Sequence, residues 1–257
     1  MRKLLIFSML FVLATASYGS ALSVIRFGVD PSYPPFESKG PDGKLHGFDI
    51  DLGEQICARL HARCVWVEND FDGMIPALKA RKFDAILSAM SNTPQRSAQI
   101  AFSDKMYNMT AGLIARKGSN LTPTPEGLKG KSIGVEQGSS ALTYAKLYWE
   151  PKGAHVVSYQ NQDQVYADLI SGRLDAAFQA AVQAETGFLK SPQGAGYELV
   201  GKPLSDPKIF GVGAAIGIRK DDPALASKIN NPLAGMIKDG TYQSIERKYF
   251  NFDIYNN

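Results

Sequence analysis

Short apolar runs alternate with longer amphipathic segments along most of the chain. Residues 83–87 are a mostly apolar run between polar flanks, which predicts a strand buried on both faces of a sheet, and residues 24–29 are predicted as a first strand. Between residues 52 and 60, apolar side chains recur every four positions, a spacing that predicts a helix with one buried face. The alternation resumes after Met109. This order predicts an α/β protein with parallel strands and helices on the faces of the sheet.

One predicted strand ends in a small polar turn that leads directly into a helix. Residues 88–92 read S-A-M-S-N, and Thr93 and Pro94 follow as helix N-cap and first helical residue. Such a turn presents unpaired backbone N–H groups and the positive end of a helix dipole, and Arg96 adds a planar cation. We therefore predict a carboxylate-binding site. The alternative is an ordinary cap with a solvated Arg96.

A second turn of this kind follows the predicted strand 131–135. Residues 136–140 read E-Q-G-S-S, so Glu136, Ser139 and Ser140 precede a predicted helix from Ala141. Two such turns in separate units suggest one ligand held from both sides. An ordinary strand-to-helix connection that uses Gly and Ser for steric reasons would have the same composition.

Further polar and aromatic side chains follow predicted strands or lie in loops. Asp30 and Tyr33 belong to a turn stiffened by three prolines, and Phe71 lies in the loop N-D-F-D-G. Because ligand chemistry in such sheets gathers at the carboxyl ends of strands, we expect these residues to share a rim with Ser88. Tyr33 packed on its own prolines is the simpler alternative.

The N-terminus has the pattern of a cleaved secretory signal. Arg2 and Lys3 precede an apolar stretch, and residues 19–21 (G-S-A) are small, so residues 1–21 are predicted to be removed. A membrane anchor is the alternative, but the apolar stretch is shorter than the ~20 residues that a span needs. Removal of the two cations lowers the formal net charge of the chain from +3 to +1, a balance that argues against nucleic-acid binding.

The only two cysteines, Cys57 and Cys64, lie in the exported portion. In an oxidising compartment two nearby thiols are expected to pair, whereas a metal site needs more ligands. No cofactor or metal site is predicted. Near the C-terminus, residues 203–210 read as a linker, and Asn231-Pro232 predicts a break between two helices.

The assembled motifs resemble the periplasmic basic amino-acid binding proteins of ABC importers, within bacterial solute-binding protein family 3. The resemblance covers essentially the whole mature chain. Its motifs are Y-P-P-F (33–36), G-F-D-I-D-L (47–52), F-D-G-M-I-P (71–76), D-A-I (84–86), T-P-Q-R (93–96), A-F-S (101–103), G-R-L-D (172–175) and D-G-T-Y (239–242). Each motif is weak alone, but the ordered set is specific.

The resemblance implies the periplasmic binding protein type II fold. This fold has two Rossmann-like α/β lobes joined by two hinge crossings, and it closes on its ligand by a hinge motion. Mapped onto this chain, residues 24–108 plus 209–257 would form lobe one, and residues 109–208 would form lobe two. The two cysteines match the single disulfide of the family.

The resemblance also assigns roles to individual residues. Arg96, with the backbone at Ser91 and Ser140, would bind the α-carboxylate of the ligand. At the other end, Asp30 would meet the cationic group, helped by Ser88. Tyr33 and Phe71 would sandwich the aliphatic stem between these ends.

Three positions depart from the pattern of the family. Ala180 stands where an aspartate usually pairs with the α-ammonium, and Ala89 replaces a serine common in the histidine and lysine/arginine/ornithine binders. Glu136 occupies a position that is acidic in arginine binders. We therefore expect an arginine-like ligand. An opine such as octopine or nopaline, which lacks a free primary α-ammonium, is the alternative.

The resemblance implies a binding protein that delivers its ligand to an inner-membrane ABC permease. We expect a periplasmic monomer that is not an enzyme and binds no nucleic acid. Two alternatives remain. A dehydratase on the same fold could use Glu136 as a general acid, although His46, His61 and His155 are scattered along the chain. A sensor module that presents its ligand to a receptor would have the same sequence features.

Overall fold

The computed structural model describes residues 23–256, so the predicted signal segment lies outside the described residues. The first part of the chain builds most of one α/β lobe. Its elements are β1 (Ser23–Val29), β2 (Ser32–Tyr33), β3 (Glu37–Lys39), β4 (Leu45–His46), α1 (Phe48–Arg59), β5 (Ala62–Glu68), α2 (Met74–Lys79), β6 (Ala85–Ile86), α3 (Pro94–Ser97) and β7 (Ala101–Tyr107). One turn of 3-10 helix, Phe71–Gly73, leads into α2.

The middle of the chain forms the second lobe, and the chain then returns to the first. The second lobe contains β8 (Ala111–Arg116), β9 (Ser132–Glu136), α4 (Ser140–Tyr148), β10 (His155–Tyr159), α5 (Gln162–Ser171), β11 (Ala176–Ala180), α6 (Ala181–Gln183), a π-helical segment (Ala184–Leu189), β12 (Tyr197–Leu204) and α7 (Pro207–Phe210). The returning elements are β13 (Ala214–Ile218), α8 (Pro223–Asp239) and α9 (Thr241–Tyr249).

Each lobe has its own five-stranded mixed sheet. The strand order is β5-β1-β6-β13-β7 in lobe one and β10-β9-β11-β8-β12 in lobe two. In both sheets the strands on one side are parallel, and an antiparallel strand follows them: β13 pairs antiparallel with β6, and β8 with β11. The chain crosses between the sheets at residues 108–110 and 205–213. The predicted architecture of two α/β lobes with two crossings is thus confirmed.

Separate apolar cores stabilise the two lobes. In lobe one, Phe27, Phe36 and Phe48 are fully buried between the sheet and α1, α8 and α9. In lobe two, Trp149 and Phe178 are fully buried, and their ring centroids are 4.4 Å apart. Since apolar burial is the main favourable term in folding, each lobe holds its own shape, and the crossings join two bodies.

The disulfide prediction is confirmed, because Cys57 and Cys64 are bonded and tie α1 to β5. Two other predictions are wrong. Residues 203–210 form the end of β12 and the helix α7 instead of a linker. Pro232 lies inside α8 instead of starting a new helix. Ile229, Leu233 and Met236 of α8 are buried in the core of lobe one, and this packing outweighs the loss of one backbone hydrogen bond.

Within residues 23–256, none of the helices combines the length and the apolar character that crossing a membrane would require.

Candidate ligand-binding site

The carboxyl ends of the central strands of both sheets open onto one cleft between the lobes. Its empty volume is about 610 Å³. The eleven residues that the sequence predicts for the ligand site all line this cleft: Asp30, Tyr33, Phe71, Ser88, Ala89, Ser91, Arg96, Glu136, Ser139, Ser140 and Ala180. The structure therefore brings together residues that lie as far as 150 positions apart in the sequence.

Arg96 enters the cleft from the short helix α3. The N-cap Thr93 accepts the backbone N–H of Arg96 at 3.2 Å, which fixes the first turn. The guanidinium donates to the backbone carbonyl of Ser91 at 3.0 Å. A second donation reaches the backbone carbonyl of Gly138, in the opposite lobe, at 3.0 Å. Arg96 thus contacts both walls of the cleft.

Burial makes Arg96 a strong anchor for an anion. Its exposed fraction is 8%, and its guanidinium lies 5.2 Å from the ring centroid of Phe71. This burial lowers the pKa of Arg96 to about 10, and the nearby charge of Glu136 acts in the opposite sense. The side chain is therefore cationic at neutral pH. Among residues 23–256 it hydrogen-bonds to carbonyls and forms no ion pair.

The turn after β6 is held in shape by buried acids. The Ser88 hydroxyl accepts the backbone N–H of Asp30 at 3.0 Å and donates to Glu37 at 3.1 Å. Ala89 has a φ of +46°, in the left-handed region that a residue with a Cβ rarely adopts. Its backbone N–H donates to the Asp49 carboxylate at 2.8 Å. This hydrogen bond helps to hold the turn in a strained conformation.

Three buried carboxyl groups line the same cleft. Asp30, Glu37 and Glu136 have exposed fractions of 5%, 1% and 6%. Burial is the largest cause that raises the pKa of each. Mutual repulsion adds to it, because the charge of Asp30 further raises the pKa values of Glu37 and Glu136. A cation that enters the cleft would relieve both effects.

Asp30 is the most firmly positioned of the three acids. One of its oxygens accepts the Ser32 hydroxyl at 2.7 Å, and the other accepts the backbone N–H of Phe71 at 3.0 Å. These hydrogen bonds act against the effect of burial and favour the ionised form of Asp30. Glu136, at the end of β9, has no hydrogen-bond donor on its carboxylate among the described residues. It is therefore free to bind an incoming cation.

Aromatic and small side chains form the remaining walls. Tyr33 and Phe71 are half-buried, and the Tyr33 hydroxyl accepts the backbone N–H of Ala180 from the opposite lobe at 3.2 Å. Ser139 caps α4 by accepting the N–H of Leu142 at 3.0 Å, and Ser140 begins this helix. The N-terminus of α4 therefore adds backbone donors to the wall of lobe two.

The two lobes are closed on each other. Gln137 donates to Asp72 at 2.8 Å, and Gln160 donates to Asp70 at 2.7 Å, in both cases from lobe two to lobe one. Gly138 lies so close to lobe one that a Cβ built on it would be 2.7 Å from the Asp72 Cα, and its φ is +76°. Only glycine fits this approach without strain.

The chain matches the family model of bacterial extracellular solute-binding proteins, family 3, over residues 25–252. It belongs to this family. The resemblance read from the motifs is thereby confirmed.

Several members of the family are similar to this chain over nearly its full length. The histidine-binding periplasmic protein of Escherichia coli (strain K12) is 48% identical, with 98% of this chain and 99% of that protein covered. The lysine/arginine/ornithine-binding periplasmic protein of the same strain is 48% identical, with 99% and 98% covered. The structure of an ancestral arginine-binding protein bound to arginine has a TM-score of 0.83 and 34% identity, with 89% of this chain and 99% of that chain covered.

Nine further residues line the cleft of this family member and were missed by sequence reasoning. They are Glu37, Met109, Thr110, Ala111, Ala141, Gln162, Phe178, Gln179 and Phe210. Gln179 carried a usable signal, because it is a polar residue in the apolar strand β11. Nothing in the sequence indicates that Glu37 is buried, since a single acid in a short segment of surface-like composition usually faces solvent.

Glu37 belongs to a buried acidic network beneath the cleft. Its carboxyl lies near that of Asp49, whose charge raises the pKa of Glu37. Asp49 is fully buried and accepts the Tyr107 hydroxyl at 2.9 Å. The Glu37 Oε2 has no hydrogen-bond partner among the described residues, and a proton shared with the Asp49 carboxyl would satisfy it. Burial raises the pKa of Asp49 to about 7 and that of Glu37 well above its usual range. Burial therefore favours a proton on this network at neutral pH.

The shared proton makes stability depend on pH. Since the folded state binds it more tightly than the unfolded state, its contribution is complete below about pH 4 and is lost as pH rises through about 7. We expect the free energy of unfolding to fall over this window, by roughly 1 to 3 kcal/mol from this pair. In Glu37→Gln the amide supplies a permanent N–H donor to Asp49, so the fall should be smaller.

Chemical denaturation at pH 5, 6, 7 and 8 measures this slope. The matched control is Glu126→Gln, which changes an exposed carboxyl in lobe two and should keep the wild-type slope. An unchanged slope in Glu37→Gln would show that the two buried carboxyl groups do not share a proton in this range.

Proposed function

We propose that this chain is the extracytoplasmic solute-binding component of an ABC importer and that it captures a basic amino acid, arginine above others, in the interlobe cleft. The observation that carries this proposal is the set of ionisable side chains that line the cleft. One buried guanidinium, which has no carboxylate partner within residues 23–256, and three buried carboxyl groups line one cleft. A zwitterion with a cationic side chain neutralises both kinds of charge, since a buried charge is costly unless it is paired.

The carboxylate of the ligand would bind at Arg96. The planar fork of the guanidinium can bind both oxygens of a carboxylate, and the contacts of Arg96 with the Ser91 and Gly138 carbonyls hold it in the cleft. Backbone N–H groups at Ser91 and Ser140 would complete this end. Ser139, as the N-cap of α4, positions that wall.

The cationic end of the ligand would meet Asp30 and Glu136. Asp30 belongs to lobe one and Glu136 to lobe two, so the ligand would bridge the lobes and favour their closure. Between the two ends, the rings of Tyr33 and Phe71 would cover the aliphatic stem. Ser88, already bonded to Glu37, supports this end of the cleft.

The relatives support a binding role, since they are named binding proteins. The chain carries three histidines, His46, His61 and His155; all are exposed, and none lines the cleft, which favours binding over acid–base catalysis. Two of the relatives are named periplasmic proteins, so we propose the periplasm as the location and a membrane permease as the partner. We propose that the chain acts as a monomer.

An opine is a second candidate ligand. Ala180 presents only a methyl group to the cleft, and its backbone N–H is engaged by Tyr33. An alanine at this position leaves room for a substituent on the α-nitrogen, which opines carry. Ala89 likewise adds no hydroxyl beside the carboxylate site.

Ligand capture would use a hinge at the two crossings. Residues 108–110 form one crossing. In the second crossing, residues 205–213, Phe210 packs in the core of lobe two. This packing supports a hinge after Phe210, at residues 211–213. Lobe one would then move as residues 24–108 plus the C-terminal part of the chain, and lobe two as the segment between the hinges.

Titration calorimetry with L-arginine, L-lysine, L-histidine and octopine tests the proposed ligand class. Arginine should bind most tightly, because a guanidinium can meet acids on both lobes at once. Tighter binding of octopine would select the opine alternative. No heat with any of the four compounds would contradict the proposed use of the cleft.

The closed state can be tested at Gly187, in the π-helical segment. A Cβ at this residue would overlap the backbone carbonyl of Pro34 in the opposite lobe. Gly187→Ala should therefore oppose closure by about 1 to 3 kcal/mol, which corresponds to a loss of arginine affinity of roughly 5- to 150-fold. The melting temperature without ligand should not fall, since alanine favours a helix.

Gly196→Ala is the matched control. A Cβ at Gly196 would meet no atom within 4 Å, so the affinity for arginine should be unchanged. Equal affinities in the two variants would argue that binding does not require the closed contact between Pro34 and Gly187.

A further inference from the structure

A buried cluster of amides lies behind the cleft in lobe two. Gln162 donates its Nε2 to the Oε1 of Gln179 at 2.5 Å. Gln179 in turn donates to Tyr166 and to Gln183, and the Tyr166 hydroxyl donates to Gln183 at 2.8 Å. All four residues are buried. Turning Gln162 alone would place its oxygen against the Gln179 oxygen, and turning Gln179 alone would place donor against donor, so each amide supports the direction of its neighbour.

Gln162 lines the cleft and carries an acceptor without a donor in residues 23–256. Its exposed fraction is 0%, and within the described part of the chain its Oε1 has no hydrogen-bond partner. The residue lines the cleft, as does Gln179, whereas Tyr166 and Gln183 do not. A buried carbonyl oxygen without a hydrogen-bond donor is unfavourable, so a donor from a bound ligand would stabilise this atom.

The topology places Gln162 beside Glu136. In sheet two, Glu136 pairs with Tyr159 at the end of β10, and Gln162 begins α5 three residues later. On the other side of β9, Ala177 pairs with Gly134, so continuing this register brings Gln179 level with Glu136. Because Gln162 is bonded to Gln179, it spans the two strands that flank the strand of Glu136.

A guanidinium needs more acceptors than an ammonium. It carries five N–H donors in a plane, whereas a lysine ammonium carries three. Each Asp30 oxygen already accepts a hydrogen bond, from Ser32 or Phe71, which leaves Glu136 as the carboxylate of the cleft without a donor among the described residues. One further neutral acceptor next to Glu136 therefore suits a guanidinium and is not required by an ammonium.

We infer that Gln162 is a specificity-determining residue, whose Oε1 accepts an N–H from the guanidinium of the ligand. The inference rests on the proposed function and deepens it, because it assigns the preference for a guanidinium over an ammonium to a named atom. The cluster behind Gln162 holds its Oε1 in place. Asp163, the next residue of α5, contributes to the raised pKa of Glu136, in agreement with the closeness of this helix end to that acid.

The test compares arginine and lysine binding by calorimetry in three variants of the full mature chain. Gln162→Met keeps the length of the side chain and removes the acceptor, so arginine affinity should fall about tenfold or more. Lysine affinity should fall less than threefold. Gln162→Glu keeps an acceptor at this place and, with its buried carboxyl protonated toward the Gln179 oxygen, should retain at least wild-type affinity for arginine.

Tyr166→Phe is the matched control, because it removes the two hydrogen bonds of the Tyr166 hydroxyl and leaves the Gln162–Gln179 hydrogen bond and the lining of the cleft intact. It should change neither affinity more than twofold. Equal losses for both ligands in Gln162→Met, or a loss in Tyr166→Phe as large as in Gln162→Met, would overturn the inference and leave the proposed function standing. If the wild-type chain bound neither ligand, the proposed function itself would fail, and the inference with it.

Discussion

One buried guanidinium and three buried carboxyl groups share a narrow cleft without forming ion pairs with one another. Each of these groups is costly to keep ionised while it stays unpaired, because burial removes water from around it. The fold tolerates them because they lie at rigid strand ends and because hydrogen bonds hold some of them in place, as with Asp30 between the Ser32 hydroxyl and the Phe71 backbone N–H. A site that is organised before the ligand arrives loses less entropy on binding.

The two-lobe topology explains how such charges can be assembled and also released. Each lobe has its own apolar core, so opening the cleft breaks only the contacts across it, such as those from Gln137 to Asp72 and from Gln160 to Asp70. These pairs lie at exposed positions and contribute little by themselves. A ligand that contacts both lobes can therefore decide between the open and closed forms.

Much of the fold was predictable because strands buried on both faces leave continuous apolar runs, as in residues 83–87. The pairing of strands that lie far apart in the sequence was harder to predict. The strand β7 has mixed polarity, and it forms because β13 returns from more than 100 residues later to pair with it. The prediction at Pro232 was wrong because the free-energy cost of a proline inside a helix can be judged from the local sequence alone. The burial of Leu233 and Met236, which offsets this cost, depends on tertiary packing.

The candidate site likewise contains residues that the local sequence predicts and residues that only tertiary packing brings together. Arg96 could be selected from its own turn, because the cap and the proline that position it are neighbours in sequence. Glu37 and Asp49 could not, since nothing local indicates that two acids 12 positions apart are buried against each other. The unpaired oxygen of Gln162 likewise exists only once three strand ends are assembled around it.

The central claim is that Arg96 anchors the acid group of the ligand, and Arg96→Met tests it most directly. The control is Arg63→Met, which removes an exposed arginine of β5. Calorimetry with the best ligand of the wild-type chain should show a loss of about 100-fold or more in Arg96→Met, because two charge-assisted hydrogen bonds disappear. Arg63→Met should bind as the wild type does. Undiminished binding in a folded Arg96→Met variant would contradict the account.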